Sequence, residues 1–150
     1  MATKDTKKTA TKASKTFSAE EVEAMKEYVR EKRQARKGKP DGEGEVLAKI
    51  ATMKGADRVM AEKIHAIVKA NAPGLTPKTW YGMPAYANSA GKVVCFFQDA
   101  NKFKSRYATL GFSDAAKLDD GNIWPATFAL AKLTPADEAR IGALVKKAVS

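Results

Sequence analysis

A chain of 150 residues with 44% hydrophobic content has room for one domain and enough apolar material to bury an ordinary core without disulfides or a structural metal. A single cysteine, Cys95, rules out an intramolecular disulfide, and the basic N-terminus runs on into polar residues with no apolar stretch, which argues against a secretory signal or a membrane span. The expected location is therefore cytoplasmic, without a membrane partner, and the net charge of +10 turns attention to anionic ones.

That charge is unevenly placed: residues 1–40 carry 12 of the 27 cations but 6 of the 17 anions. Within residues 2–16, Lys4, Lys7, Lys8, Lys12 and Lys15 sit among Thr, Ala and Ser. With no large apolar side chain there to repay ordering entropy, the segment is expected to be a disordered basic tail, able to bind phosphate backbones by counterion release. The single domain is expected over 17–150. Ser18 followed by Glu21 predicts a capping box and Phe17 with Val22 a hydrophobic staple, so a helix should start at Ala19. Its apolar stripe would be Val22, Met25, Tyr28 and Val29, with a basic, solvated end from Arg30 to Lys37. Gly38, Pro40, Gly42 and Gly44 predict a loop. Val46, Leu47 and Ile50 then mark a short helix broken near Gly55. Asp57 is expected to cap the next helix, whose stripe is Met60, Ile64, Ile67 and Val68; His65 should sit on it partly exposed.

From Thr79 to about Leu130 the periodicity becomes strand-like. Lys78-Thr79-Trp80-Tyr81-Gly82-Met83-Pro84-Ala85-Tyr86 reads as strand, forced bend and strand, with the turn at Gly82–Pro84. The aromatic cluster makes Trp80, Tyr81, Gly82, Met83, Pro84 and Tyr86 candidates for a packed corner or pocket wall. Lys92 to Gln98 is apolar on both faces, as a central strand would be. In Lys102-Phe103-Lys104-Ser105-Arg106-Tyr107 an extended backbone would set Lys102, Lys104 and Arg106 on one face at about 7 Å intervals, a spacing that can track phosphates, with Phe103 and Tyr107 on the other. Arg106 to Phe112 and Ala126 to Ala131 complete the strands. Thr134, Pro135 and Asp137 open a last helix that buries Ile141, Leu144, Val145 and Ala148. The predicted class is a two-layer α+β domain, an antiparallel sheet of about four or five strands over residues 79–131 packed with N-terminal helices and a C-terminal helix.

No catalytic constellation emerges. One histidine must serve every nucleophilic proposal, and Cys95 lies in Val-Val-Cys-Phe-Phe, where a buried, inert thiol is expected. Neither common phosphate-cradling glycine loop is present. The expectation is a non-enzymatic binding protein that requires no cofactor.

Trp80, Gly82, Met83, Pro84 and Tyr86, then Val93 to Phe97, Leu110-Gly111-Phe112 and Leu118-Asp119-Asp120-Gly121, followed by the C-terminal helix, resemble the bacterial YdhG-like domain over about residues 45–149. That family's function is largely unknown, and its fold is similar to that of frataxin. The resemblance implies a helix-flanked antiparallel sheet and an accessory role, with one branch described as an iron chaperone for iron–sulfur assembly, hence iron and an assembly partner. Frataxin-type iron binding relies on clustered carboxylates. Here Glu20, Glu21, Glu23, Glu27 and Glu31 are interleaved with Lys26, Arg30, Lys32 and Arg33, and Asp119 and Asp120, the acidic pair of the sheet region, are weak metal candidates better suited to shaping the turn at Gly121. The alternative reading is a nucleic-acid-associated protein using the tail and the Lys102–Tyr107 face.

Overall fold

The computed structural model describes residues 18–36 and 42–150. The tail lysines, Phe17 and the helix end at Lys37 lie outside them. Among the described residues three helices, α1 (Ala19–Arg36), α2 (Gly42–Thr52) and α3 (Gly55–Asn71), precede five strands and a last helix. The strands are β1 (Thr76–Trp80), β2 (Met83–Ala87), β3 (Val93–Gln98), β4 (Ala108–Phe112) and β5 (Thr127–Leu130), and the helix is α4 (Pro135–Ala148). The sheet is antiparallel throughout in the order β1-β2-β3-β4-β5, so the expected α+β class and the central place of β3 both hold. No helix of the described residues is long and apolar enough to cross a membrane.

Register assigns the faces. Tyr86 stands opposite Cys95 and Cys95 opposite Phe112, while Phe97 faces Leu110 and Leu110 faces Phe128. Directly paired residues share a side of the sheet, so this set forms the inner face. It meets Val46 and Ile50 of α2, Met60, Ile64 and Val68 of α3, and Ile141 and Val145 of α4 in one core. Trp80, Met83, Ala85 and Phe96 fall on the opposite side, where Gly111 is required: a Cβ there would overlap the Phe96 ring.

Local chemistry sets the helix starts. Ser18 Oγ accepts the Glu21 N–H at 3.1 Å, and Thr134 and Asp137 form a complete capping box behind Pro135. Two expectations shift. Gly42 and Gly44 do not form a loop but open α2, where Gly42 passes so close to the Pro77 carbonyl of β1 that a Cβ would not fit. Asp57 does not cap α3, whose N-cap position is Lys54 with no side-chain cap; its buried carboxylate instead accepts the N–H groups of Ala100 (3.2 Å) and Asn101 (2.9 Å). The carboxylate thereby ties the start of α3 to the turn after β3, whose partly buried N–H groups need an acceptor.

The stripe on α1 is the largest correction. Met25 and Val29 are 42% and 52% exposed, whereas Ala24 is buried. The inward face carries Glu20, Glu27, Tyr28 and Glu31, because the end of the sheet that α1 covers presents lysines and a backbone donor instead of an apolar surface. Leu47 of α2 is likewise about half exposed.

Candidate functional site

The aromatic motif divides into two environments. Trp80 pairs with Met83 across a loop of only Tyr81 and Gly82, with φ of 52° and 74°. Positive φ at both central residues is the type I′ hairpin geometry, whose twist matches the strands. The turn is therefore Tyr81–Gly82, and Pro84 sits inside β2 opposite Thr79, a correction to the expected Gly82–Pro84 bend. Pairing of β2 with β3 begins one residue later, at Ala85, since Pro84 has no N–H to give.

At the hairpin tip Tyr81 stacks on Tyr28 of α1 with ring centres 4.2 Å apart, and Trp80 bridges Tyr81 (5.0 Å) and Phe96 (5.3 Å). Gly82 donates its N–H to Glu31 Oε1 at 3.2 Å, and a Cβ at Gly82 would overlap the Glu27 carboxylate and the Lys102 ammonium. Glu27 accepts from Lys102 at 2.7 Å and from Lys49 at 3.2 Å, so it joins α1, α2 and the β3–β4 loop. Burial works to raise the Glu27 carboxyl, but the hydrogen bonds from Lys102 and Lys49 outweigh it and hold the group below its ordinary value. Glu31 goes the other way: burial pushes it up, Thr79 and the Gly82 N–H oppose this, and Glu27 and Glu45 add to the rise. Its Oε2 is buried without a partner.

Tyr86 belongs to the inner face. Its hydroxyl lies 3.0 Å from His65 Nδ1, and His65 Nε2 lies 3.2 Å from Glu43 Oε1, which also takes Lys69. Burial keeps the phenol protonated far above neutral pH, and each ring nitrogen of His65 lies within hydrogen-bonding distance of a protein oxygen. His65 is consequently a buried residue and not the partly exposed one expected; a helix position reveals nothing about a tyrosine arriving from a strand. Cys95, opposite Tyr86, is fully buried and its thiol is pushed up to about 12 by burial, as a core thiol should be.

The basic Lys102–Tyr107 stretch is not extended. Residues 101–104 form a turn, Lys104 has φ of 52°, and β4 starts at Ala108. The alternating cationic face therefore does not form. Lys102 is bound to Glu27, Lys104 to Glu20 at 2.7 Å, and Arg106 lies 5.3 Å over the Tyr107 ring with both side chains exposed. Asp119 and Asp120 are exposed beside Gly121 (φ 70°), and among the described residues no group of three or more His, Cys, Asp or Glu side chains could hold a metal ion.

Much of the joining is done by Glu43, Lys49 and Lys69, not singled out from sequence, and by Glu27 and Glu31, read there only as part of a mixed-charge helix. A signal existed for α1, where Glu20, Glu27 and Glu31 recur at spacings of seven and four, a stripe as helical as the apolar one. On its outer side α1 carries a shallow groove lined by Val22, Met25, Lys26, Val29 and Arg30. Compared with known proteins, the chain matches no family model, no curated protein and no solved structure, so the YdhG-like resemblance rests on its motif residues.

Proposed function

We propose that this protein acts by binding and not by catalysis, as a small accessory protein of the YdhG-like type. The reading is carried by the chain Tyr86–His65–Glu43 beside a fully buried Cys95: the histidine and the cysteine are both buried, and His65 is held between a core hydroxyl and a carboxylate at the surface. A general base needs an open path to its substrate's proton, and His65 is buried with the equally buried Tyr86 hydroxyl on its Nδ1. Iodoacetamide is the test. The folded full chain should resist alkylation at Cys95 and react stoichiometrically once unfolded in guanidinium. Fast labelling of the native protein would restore the nucleophile and sink the reading.

A second reading, association with nucleic acid, is favoured by the exposed Arg106–Tyr107 pair together with the lysine-rich N-terminus. A salt-resolved titration with duplex DNA should detect binding that disappears when residues 1–16 are removed, each lost phosphate contact flattening the salt slope by about 0.9. Undetectable binding by the full chain at low salt would end that reading. The iron-chaperone branch of the resemblance needs clustered carboxylates, whereas Glu20, Glu27 and Glu31 are committed to Lys104, Lys102, Lys49 and Gly82. Calorimetry should accordingly find only weak, salt-sensitive Fe(II) binding. A micromolar stoichiometric site abolished by Asp119→Asn with Asp120→Asn would reverse that assignment.

A further inference from the structure

The outer side of α1 has the features of a docking groove. Val22, Met25 and Val29 run along the helix at spacings of three and four, and Lys26 and Arg30 line the same groove. Neither cation has an ion-pair partner among the described residues, whereas three carboxylates of the helix point to the other side and are held by Lys104, Lys102, Lys49 and the Gly82 N–H. The helix is thus pinned by charge at its back and presents at its front an apolar floor with Lys26 and Arg30 along one side. Large apolar side chains left in water in a row cost free energy that only a partner recovers. Met25, unbranched and polarisable, suits a surface that must adapt to another side chain.

We propose that this groove binds an acidic amphipathic helix of a partner protein, whose apolar stripe lies along Val22, Met25 and Val29 and whose carboxylates meet Lys26 and Arg30. The inference deepens the accessory-protein reading above and rests on it. Apolar residues at i, i+3 and i+7 form a stripe along which one helix packs on another, and the two cations, which have no ion-pair partner among the described residues, set the sign of the partner. A second copy of this chain fits badly, since it would bring Lys26 and Arg30 with it and add another +10 of net charge. Nucleic acid would leave the apolar floor unused.

The probe is a synthetic amphipathic helix with a leucine stripe and glutamate flanks, compared with the same peptide carrying lysine flanks, titrated into the isotopically labelled full chain. The glutamate peptide should shift the amides of Val22, Met25, Lys26, Val29 and Arg30, and the lysine peptide should leave them unmoved. Met25→Ser with Val29→Ser should weaken the complex at least tenfold with an unchanged thermal midpoint. Lys26→Glu with Arg30→Glu should transfer the preference to the lysine peptide, an outcome that mere loss of folding cannot produce. Shifts confined to other surfaces, equal binding of both peptides, or no binding would overturn the proposal. So would a dimer broken by Met25→Glu, which assigns the groove to a second copy, or binding to phosphatidylglycerol vesicles without binding to the peptide, which assigns it to a lipid surface. Because the peptide reports on α1 and alkylation on Cys95, failure of the groove and failure of the non-enzymatic reading are separately visible.

Discussion

α1 and α3 carry similar apolar stripes in sequence and use them in opposite ways. Met60, Ile64 and Val68 of α3 are all at most 3% exposed and join the main core, whereas Met25 and Val29 of α1 face solvent. What attaches α1 is the Tyr28–Tyr81 stack and a row of carboxylates paired with Lys49, Lys102, Lys104 and the Gly82 N–H. An apolar stripe therefore shows that a helix has something to bury but not where. A helix held by polar contacts keeps its hydrophobic side available, which is what the proposed docking would use.

The contrast can be broken most forcefully in α3. Ile64→Ala removes a fully buried side chain from the centre of the core and should cost roughly 2–5 kcal/mol in denaturant unfolding. A cost below about 1 kcal/mol would mean that α3 is no better anchored than α1. Next comes the polar anchor. Glu27, 13% exposed, holds two lysines, and Glu27→Gln should cost about 1–2 kcal/mol, a penalty that shrinks in high salt. Hydrogen exchange should then show the amides of α1 losing protection while those of α3 keep theirs. If both helices loosen together, α1 is part of the core after all.

Thr134→Ala should cost about 1 kcal/mol, since it removes the side-chain half of the α4 capping box, and it should act equally in high and low salt. The smallest effect is a matter of pH. Glu27 is held below the ordinary carboxylate value of 4.5, so the stability it contributes is present above that value and is lost as pH falls through its folded pKa. Glu31 is raised above 4.5, chiefly by burial, and has the opposite sign: its burial as a carboxylate destabilises the protein at neutral pH, and acidification through its folded pKa restores stability. Asp99, buried with Oδ1 unpartnered and likewise raised by burial, adds to that trend. The thermal midpoint should thus rise slightly on mild acidification before the losses begin. Glu31→Gln, which keeps an acceptor for the Gly82 N–H, should raise the midpoint at neutral pH and flatten that rise; a lower midpoint at every pH would show that the charge is needed for docking α1.

Local order was legible along the chain. The α3 stripe, the Thr134-Pro135-Asp137 start of α4, the Ser18 cap and the apolar run of β3 each rest on contacts within a few residues, and each is in the structure as the sequence implies. The two-layer class follows from their order. The motif that pointed to a family is also accounted for, since Gly82 and Gly111 stand where a Cβ would meet a neighbour's side chain.

Its division between a solvent-side corner and a core hydroxyl was not legible. Alternation puts Trp80 and Tyr86 on different faces only once the true turn, Tyr81–Gly82, is known. Nor could the Lys102–Tyr107 stretch be read from its own pattern. Alternation of charge and aromatic rings suits a strand, but Glu27 and Glu20, 75 and 84 positions earlier, meet its lysines in a turn.

By itself the sequence determined the order of most helices and strands and that they form one antiparallel α+β layer pair, because these depend on near neighbours and on which residue types are present. Only the tertiary structure decided which side of α1 faces the protein, that His65 is locked between Tyr86 and Glu43, and that the cations beside Phe103 are already paired. Those outcomes turn on partners brought together from distant parts of the chain, whose charges and hydrogen-bonding groups no local period records.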